Sequence, residues 1–286
     1  MRRFIITILC ATLFCATVHA QDRFELENNL KEAQARYDAN PKNADAIVWL
    51  GRRLAYLGRF TEAIDTYTKG IALHPSDARL YRHRGHRHIT LRQFEPAIRD
   101  LKKASELVKG KPDEIEPDGQ PNARNIPTST LQFNIWYHLG LAYYLTGKND
   151  KALDAYRECL KVSGTPDRLV STTHWLYMTL RRLNRIAEAK KALEPIVEGM
   201  EVIENTSYYR LTLMYKGILS DEQLLSETRG DSAASHSVLY GLGNWHLYNK
   251  RNQQALEIFQ RILASNQSTS FGFIAAEADL KRLNLK

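Results

Sequence analysis

The sequence predicts an all-α chain whose antiparallel helix pairs stack into a right-handed superhelical solenoid of about five to six repeats with capping helices. Three observations carry this. A pattern of small, aromatic and aliphatic residues returns after 34 residues, between copies starting at Ala44 and Ala78. Within each copy the apolar positions fall three or four apart, and Gly or Pro punctuates the ends. No run alternates apolar and polar residues in the way a strand needs.

The first copy, 44–77, sets the template. Ile47, Leu50 and Leu54 form one helical stripe beside Gly51, where a neighbouring helix can approach closely, and Gly58 marks the turn. A second helix carries Ala63, Tyr67 and Gly70 on one face until Pro75 stops it. The second copy repeats this with Tyr81, Gly85, Ala97, Leu101 and Ala104. The third, WYHLGLAYYLTGKNDKALDAYRECL, is the fullest, with Trp136, Leu139, Gly140, Tyr143, Gly147, Ala152 and Tyr156. On these residues the chain resembles the tetratricopeptide repeat family, and the resemblance extends over nearly all of residues 21–286.

Copies three and four occupy 133–203, the fourth through Leu176, Leu180, Asn184, Ala189 and Leu193. A degenerate repeat is expected over 204–235: its first helix, YYRLTLMYKGIL, is clear, and its second is short. The last copy, 236–269, carries Leu239, Leu242, Gly243, Ala255, Phe259 and Ile262. Residues 21–43 read as an N-terminal capping helix, and FGFIAAEADLKRL within 270–286 as a C-terminal one. A solenoid needs such caps because its end repeats otherwise expose an apolar face.

Residues 1–20 begin with Arg2 and Arg3, continue in an apolar run from Phe4, and end with Val18 and Ala20, small residues suited to a signal peptidase. A secretory signal is expected here, which places the protein in the periplasm or outside the cell, with no membrane span after cleavage. Cys10 and Cys15 leave with that segment, so Cys159 remains alone and no internal disulfide can form. A formal charge of +8 over 286 residues is mildly basic and favours acidic partners at long range without specifying one.

The resemblance implies a concave groove lined by the first helix of each pair, at the second, fifth, ninth, twelfth and thirteenth positions of a copy. Here those positions hold Asp45, Val48, Arg52, Ala55 and Tyr56, then Arg79, Arg82, His86, Ile89 and Thr90. The third copy offers Asn134, Tyr137 and Tyr144; the fourth Ser171, His174, Met178, Arg181 and Arg182; the last Tyr240, Asn244 and Tyr248. Arginine forks suit carboxylates, and tyrosine faces suit aliphatic or planar groups. The expected partner is therefore a protein or peptide with an acidic or extended segment, and the expected role is a non-catalytic scaffold. An anionic glycan or another anionic polymer is the alternative; export argues against nucleic acid.

Two features depart from a plain array. The third copy starts 55 residues after the second, so a proline-rich insertion, 112–132, interrupts the series. Ile115, Ile126 and Leu131 are expected to pin it to the solenoid, and Asn122, Arg124 and Asn125 to face a ligand or Arg82 if it covers the groove. The segment RHRGHRH crowds His83, His86 and His88 together, but only the first two share a face and no local cysteine or carboxylate completes a metal set. No metal and no cofactor is expected. A catalytic role using His86 or His174 as base is the weakest reading, since no nucleophile elbow, phosphate loop or zinc-protease pair accompanies them.

Overall fold

The structure, a computed structural model, describes residues 23–228 and 232–283. The expected signal segment, 1–20, lies outside the described residues, as do 229–231 of the degenerate repeat and the last three residues of the C-terminal cap. Among the described residues the chain forms fourteen α-helices and no strand, with one isolated bridge between Ile115 and Thr130. No helix among them is long and apolar enough to cross a membrane.

Helix α1 (23–39) lays Leu30 and Tyr37 against the first pair, α2 (Ala44–Tyr56) and α3 (Phe60–Leu73). The second pair is α4 (Ala78–Thr90) and α5 (Phe94–Leu107), and the third α6 (Leu131–Leu145) and α7 (Asn149–Lys161). Then come α8 (Pro166–Arg182) with a short α9 (Ile186–Ala192), α10 (Thr206–Tyr215) with α11 (Asp221–Glu227), and α12 (Ala233–Tyr248) with α13 (Asn252–Leu263). The chain closes with α14 (Phe271–Leu283).

Each helix starts and stops for local reasons. Asn43 caps α2 by accepting from the Ala46 amide, and Ser220 forms a reciprocal capping box with Gln223 on α11. Within a pair the close approach comes from a small residue facing a large ring. A Cβ on Gly51 would stand 2.4 Å from the Tyr67 ring, and one on Gly140 would stand 2.6 Å from Tyr156. The repeat therefore fixes a glycine sixteen residues before the aromatic it receives. Pairs then stack, α3 on α4, α5 on α6 and α7 on α8, burying one apolar core that runs from Ile89 to Ala276.

The C-terminal helix does more than cap. Besides covering α12 and α13, α14 crosses the concave side and packs against α6, which lies three helix pairs before the pair it caps. Ile274, Ala275 and Ala276 are fully buried in that seat. Arg92, at the left-handed turn position where the first and third copies carry glycine, reaches across to Glu277 at 2.7 Å and to the Ser268 carbonyl at 2.7 Å.

Candidate functional site

The return of α14 divides the expected groove into two regions. In the C-terminal region the candidate residues are interior. Tyr144, His174 and Asn244 are fully buried, and Tyr240 and Tyr137 nearly so. Their polar atoms serve one another: the Tyr144 hydroxyl donates to Asn244 Oδ1 at 3.2 Å, and the Tyr240 hydroxyl donates to the Asp279 carboxylate at 2.8 Å. Arg182 donates to Asn244 Oδ1 at 2.8 Å and pairs with Asp279, which also pairs with Arg282. Asp279 comes from α14 and is 1% exposed. It supplies the buried negative charge that lets Arg182 sit inside, since an unpaired guanidinium there would be strongly destabilising.

These placements correct the sequence expectation for Tyr137, Tyr144, His174, Arg182, Tyr240 and Asn244. They line the concave side, but α10 covers His174 through Tyr208 and Tyr215, and α14 covers Tyr240 and Arg182 through Asp279, which leaves the six almost no surface for a partner. The Tyr137 hydroxyl instead accepts from Trp175 Nε1 at 2.7 Å. Burial pushes the His174 imidazole down to about 3, and its ring stacks on Tyr208 and Tyr215. It is a neutral packing group with no access to a substrate. At the rim, Arg181 lies 4.5 Å over the Tyr248 ring and donates to the Tyr177 hydroxyl, so these two stack on each other. Arg79 is held by Asp77 and Asp45 at the outer end of α4.

The N-terminal region is different. Here the insertion, irregular from 112 to 130 because α6 already begins at Leu131, lies over α2 and α4. Apolar pinning is not what holds it: Ile115 is 67% and Ile126 42% exposed, and only Leu131 is buried. Polar contacts do the holding. Arg52 donates to the Pro117 carbonyl at 2.7 Å, Arg53 to the Gly119 carbonyl at 2.8 Å, and Arg82 pairs with Glu116 at 2.9 Å. Farther along, Asn122 and Thr128 donate to the Glu204 carboxylate at 2.6 and 2.7 Å. Arg124 and Asn125, expected to meet a ligand or Arg82, are exposed on the outside of the loop; Asn125 sits in a left-handed turn at φ 52°.

Beneath this lid is a cavity of about 460 Å³. Its helical wall presents Arg52, Tyr56, Arg82, His83, His86 and Arg87. Its other wall presents Glu116 and Asp118 from the loop and Glu204 from the segment after α9. A second cavity of about 320 Å³ shares His86 and Glu204 with the first and continues past Tyr208 and Phe271 to Ser237. Glu204 is in place because Asp167, 3% exposed at the start of α8, accepts from the Ile203, Glu204 and Asn205 amides at 2.9, 2.8 and 2.9 Å.

The electrostatics of the two walls are only partly relieved by the Arg82–Glu116 pair. Arg87 makes no ion pair among the described residues; its guanidinium contact is the Phe60 ring at 5.7 Å. Burial, with Arg82 and Arg52 close by, brings it down to about 10. Burial and then the adjoining Glu204 push the Asp118 carboxyl above its usual range. Arg82 Nε and Glu116 Oε2 are buried without partners, although the two residues pair through their other atoms. Burial also holds His83, His86 and His138 neutral, well below the ordinary imidazole range. Of the residues singled out from sequence, the cavity therefore gathers Arg52, Ala55, Tyr56, Arg82, His83, His86, Asn122 and Asn134. Sequence reasoning missed Arg87, Glu116, Asp118 and Glu204; the acidic run DEIEPDG in the insertion was the signal for two of them.

Outside this region, Cys159 is fully buried with Sγ 3.2 Å from Thr172 Oγ1, and burial pushes the thiol up to about 12. It packs and does not react.

Comparisons with known proteins agree with this architecture. Residues 19–78 and 133–165 match two family profiles, each described as tetratricopeptide repeat. The BBSome complex member BBS4 of Bos taurus is 25% identical over 212 residues, 73% of this chain and 34% of that protein. Tetratricopeptide repeat protein 13 of Homo sapiens is 32% identical over 108 residues, 38% of this chain and 10% of its own length. The chain thus spans about a third or less of these relatives. A solved tetratricopeptide repeat protein from Parabacteroides merdae superposes with a TM-score of 0.53 at 15% identity, covering 94% of this chain and 98% of that one. The recurring glycine and aromatic pairs, the matched repeats and the stacked helix pairs make this chain a tetratricopeptide repeat protein.

Proposed function

We propose that the protein is an exported, non-catalytic scaffold that holds an extended polypeptide segment in the lidded N-terminal part of its concave face. The carrying observation is the pair of cavities joined at His86 and Glu204, the stretch of concave surface that α14 leaves free. The repeat architecture supports a protein-binding scaffold in general. The volumes of about 460 and 320 Å³ support an extended segment, because a single turn of a helix about 10–12 Å across would fill most of either cavity. The signal-like sequence of residues 1–20 supports a periplasmic or extracellular setting.

Site-directed photocrosslinking in an envelope fraction tests this. Benzoylphenylalanine in place of Gln120 or Ser237, at the two ends of the joined cavities, should trap one polypeptide; the same group at Lys151, on α7 away from both cavities, should not. Equal trapping at all three positions, or trapping at Lys151 alone, sinks the assignment.

An anionic polymer is less well supported. Arg79, Arg82 and Arg182 of the concave face already meet carboxylates of this chain, so they are not free to track a charged backbone. Polymer binding would weaken steeply with salt, so a salt-insensitive complex separates the two readings.

A further inference from the structure

The lidded cavity has two walls of opposite sign, and each is left incomplete. On α4, Arg87 carries a half-buried positive charge with no carboxylate partner, beside Arg82 and Arg52. On the lid, Asp118 carries a carboxylate that makes no ion pair among the described residues, beside Glu204 and Glu116. Both groups line the same cavity without reaching each other within salt-bridge distance. Arg82 and Glu116 pair across the cavity, but the remaining like charges on each wall repel, and an opposite charge entering from outside relieves them.

Two buried atoms beside the cavity also lack partners. Arg82 is 7% and Glu116 8% exposed, yet Arg82 Nε and Glu116 Oε2 have no partner. Buried polar atoms of this kind are normally satisfied, and both residues line the cavity.

We infer that the polypeptide segment held beneath the lid is bipolar, with an acidic side chain engaged by Arg87 and a basic side chain on the adjacent residue engaged by Asp118 and Glu204. This rests on the polypeptide reading above and narrows it from an acidic segment to a paired one. In an extended chain successive side chains point to opposite sides, so neighbouring acid and base reach the helical wall and the lid wall together. A purely acidic segment would satisfy Arg87 but press its second charge against Glu116, Asp118 and Glu204. A purely basic one would meet three arginines.

An array of random octapeptides probed with the full chain and its variants tests the inference. The retained peptides should be enriched in adjacent Asp or Glu with Lys or Arg. Arg87→Ala should lower the acidic preference by about tenfold or more and leave the basic one, and Asp118→Asn should do the reverse, since truncating one side of a desolvated charge pair costs at least that much. Arg87→Lys should keep the acidic preference in part. Both side chains are only partly buried, so matching melting curves establish that the variants fold. Enrichment of one charge sign alone, or a profile unchanged in both variants, overturns the bipolar segment while leaving polypeptide binding in place. Retention of no peptide above the blank surface overturns the polypeptide reading and this one with it.

Discussion

The two ends of the concave face meet different kinds of cover, and the difference decides which end remains usable. At the C-terminal end the cover is a helix. Its backbone hydrogen bonds are satisfied internally, so α14 can descend fully, bury Ile274, Ala275 and Ala276, and bring Asp279 down to Arg182. At the N-terminal end the cover is a proline-rich loop whose amides and carbonyls need partners or water. It is held at a few polar points, Arg52, Arg53, Arg82 and Glu204, and stands off the helices between them. A helix seals; this loop roofs a cavity of about 460 Å³.

Acid should act on both ends at once and have the largest effect. His83, His86, His138 and His174 are held neutral by burial, with folded pKa values below the unfolded one. Their stabilising contribution is complete above about pH 6.5 and is lost as pH falls toward the folded values, because the unfolded chain takes up protons that the native one refuses. Each contributes a slope of about 1.4 kcal/mol per pH unit in that window. Urea denaturation at stepped pH should show stability dropping steeply from pH 6.5 to 4, and a flat profile there would mean that water reaches these rings.

Next in size is the loss of a charge partner. Asp279→Ala strands Arg182 inside the sealed end and should cost about 3–5 kcal/mol. Glu116→Ala strands Arg82 as well, but beneath a loop that can lift and admit water, so a cost of about 1–3 kcal/mol is expected. Equal losses in chemical denaturation would show that the lid is as tightly seated as α14.

Two glycines make the same comparison sterically. A Cβ on Gly272 would stand 2.3 Å from the His236 carbonyl oxygen, against backbone that cannot move aside. A Cβ on Gly119 would stand 1.9 Å from the Tyr56 hydroxyl, the far end of a side chain that can. Gly272→Ala should therefore cost about 1–3 kcal/mol. Gly119→Ala should leave the melting temperature nearly unchanged while speeding hydrogen exchange across 112–130. The opposite ranking would reverse the assignment of seal and lid.

The smallest pair removes one hydroxyl from each end. Tyr144→Phe leaves Asn244 short of a donor inside the seal and should cost about 1 kcal/mol. Tyr56→Phe loses only an acceptor at 3.3 Å from Arg52, beside open cavity, and should fall within about 0.5 kcal/mol.

Helix pairing was legible because it is local. Gly51 and Tyr67, or Gly140 and Tyr156, lie sixteen residues apart, and a helix, a turn and a second helix bring them together whatever the rest of the chain does. The insertion was legible as an interruption of the 34-residue interval. Its acidic residues, however, were not ranked above Asn122, Arg124 and Asn125, because irregular backbone has no period from which to read where a side chain points.

By itself, then, the sequence determined the helical repeat, its 34-residue interval, and a first-helix face rich in arginine and tyrosine. Only the tertiary structure decided which part of that face is surface. The deciding contacts, Arg182 with Asp279, Arg92 with Glu277 and Arg82 with Glu116, span 97, 185 and 34 positions. They join elements with no common repeat register, so periodicity carries no trace of them. They exist because buried charges must find partners wherever the closed superhelix brings them.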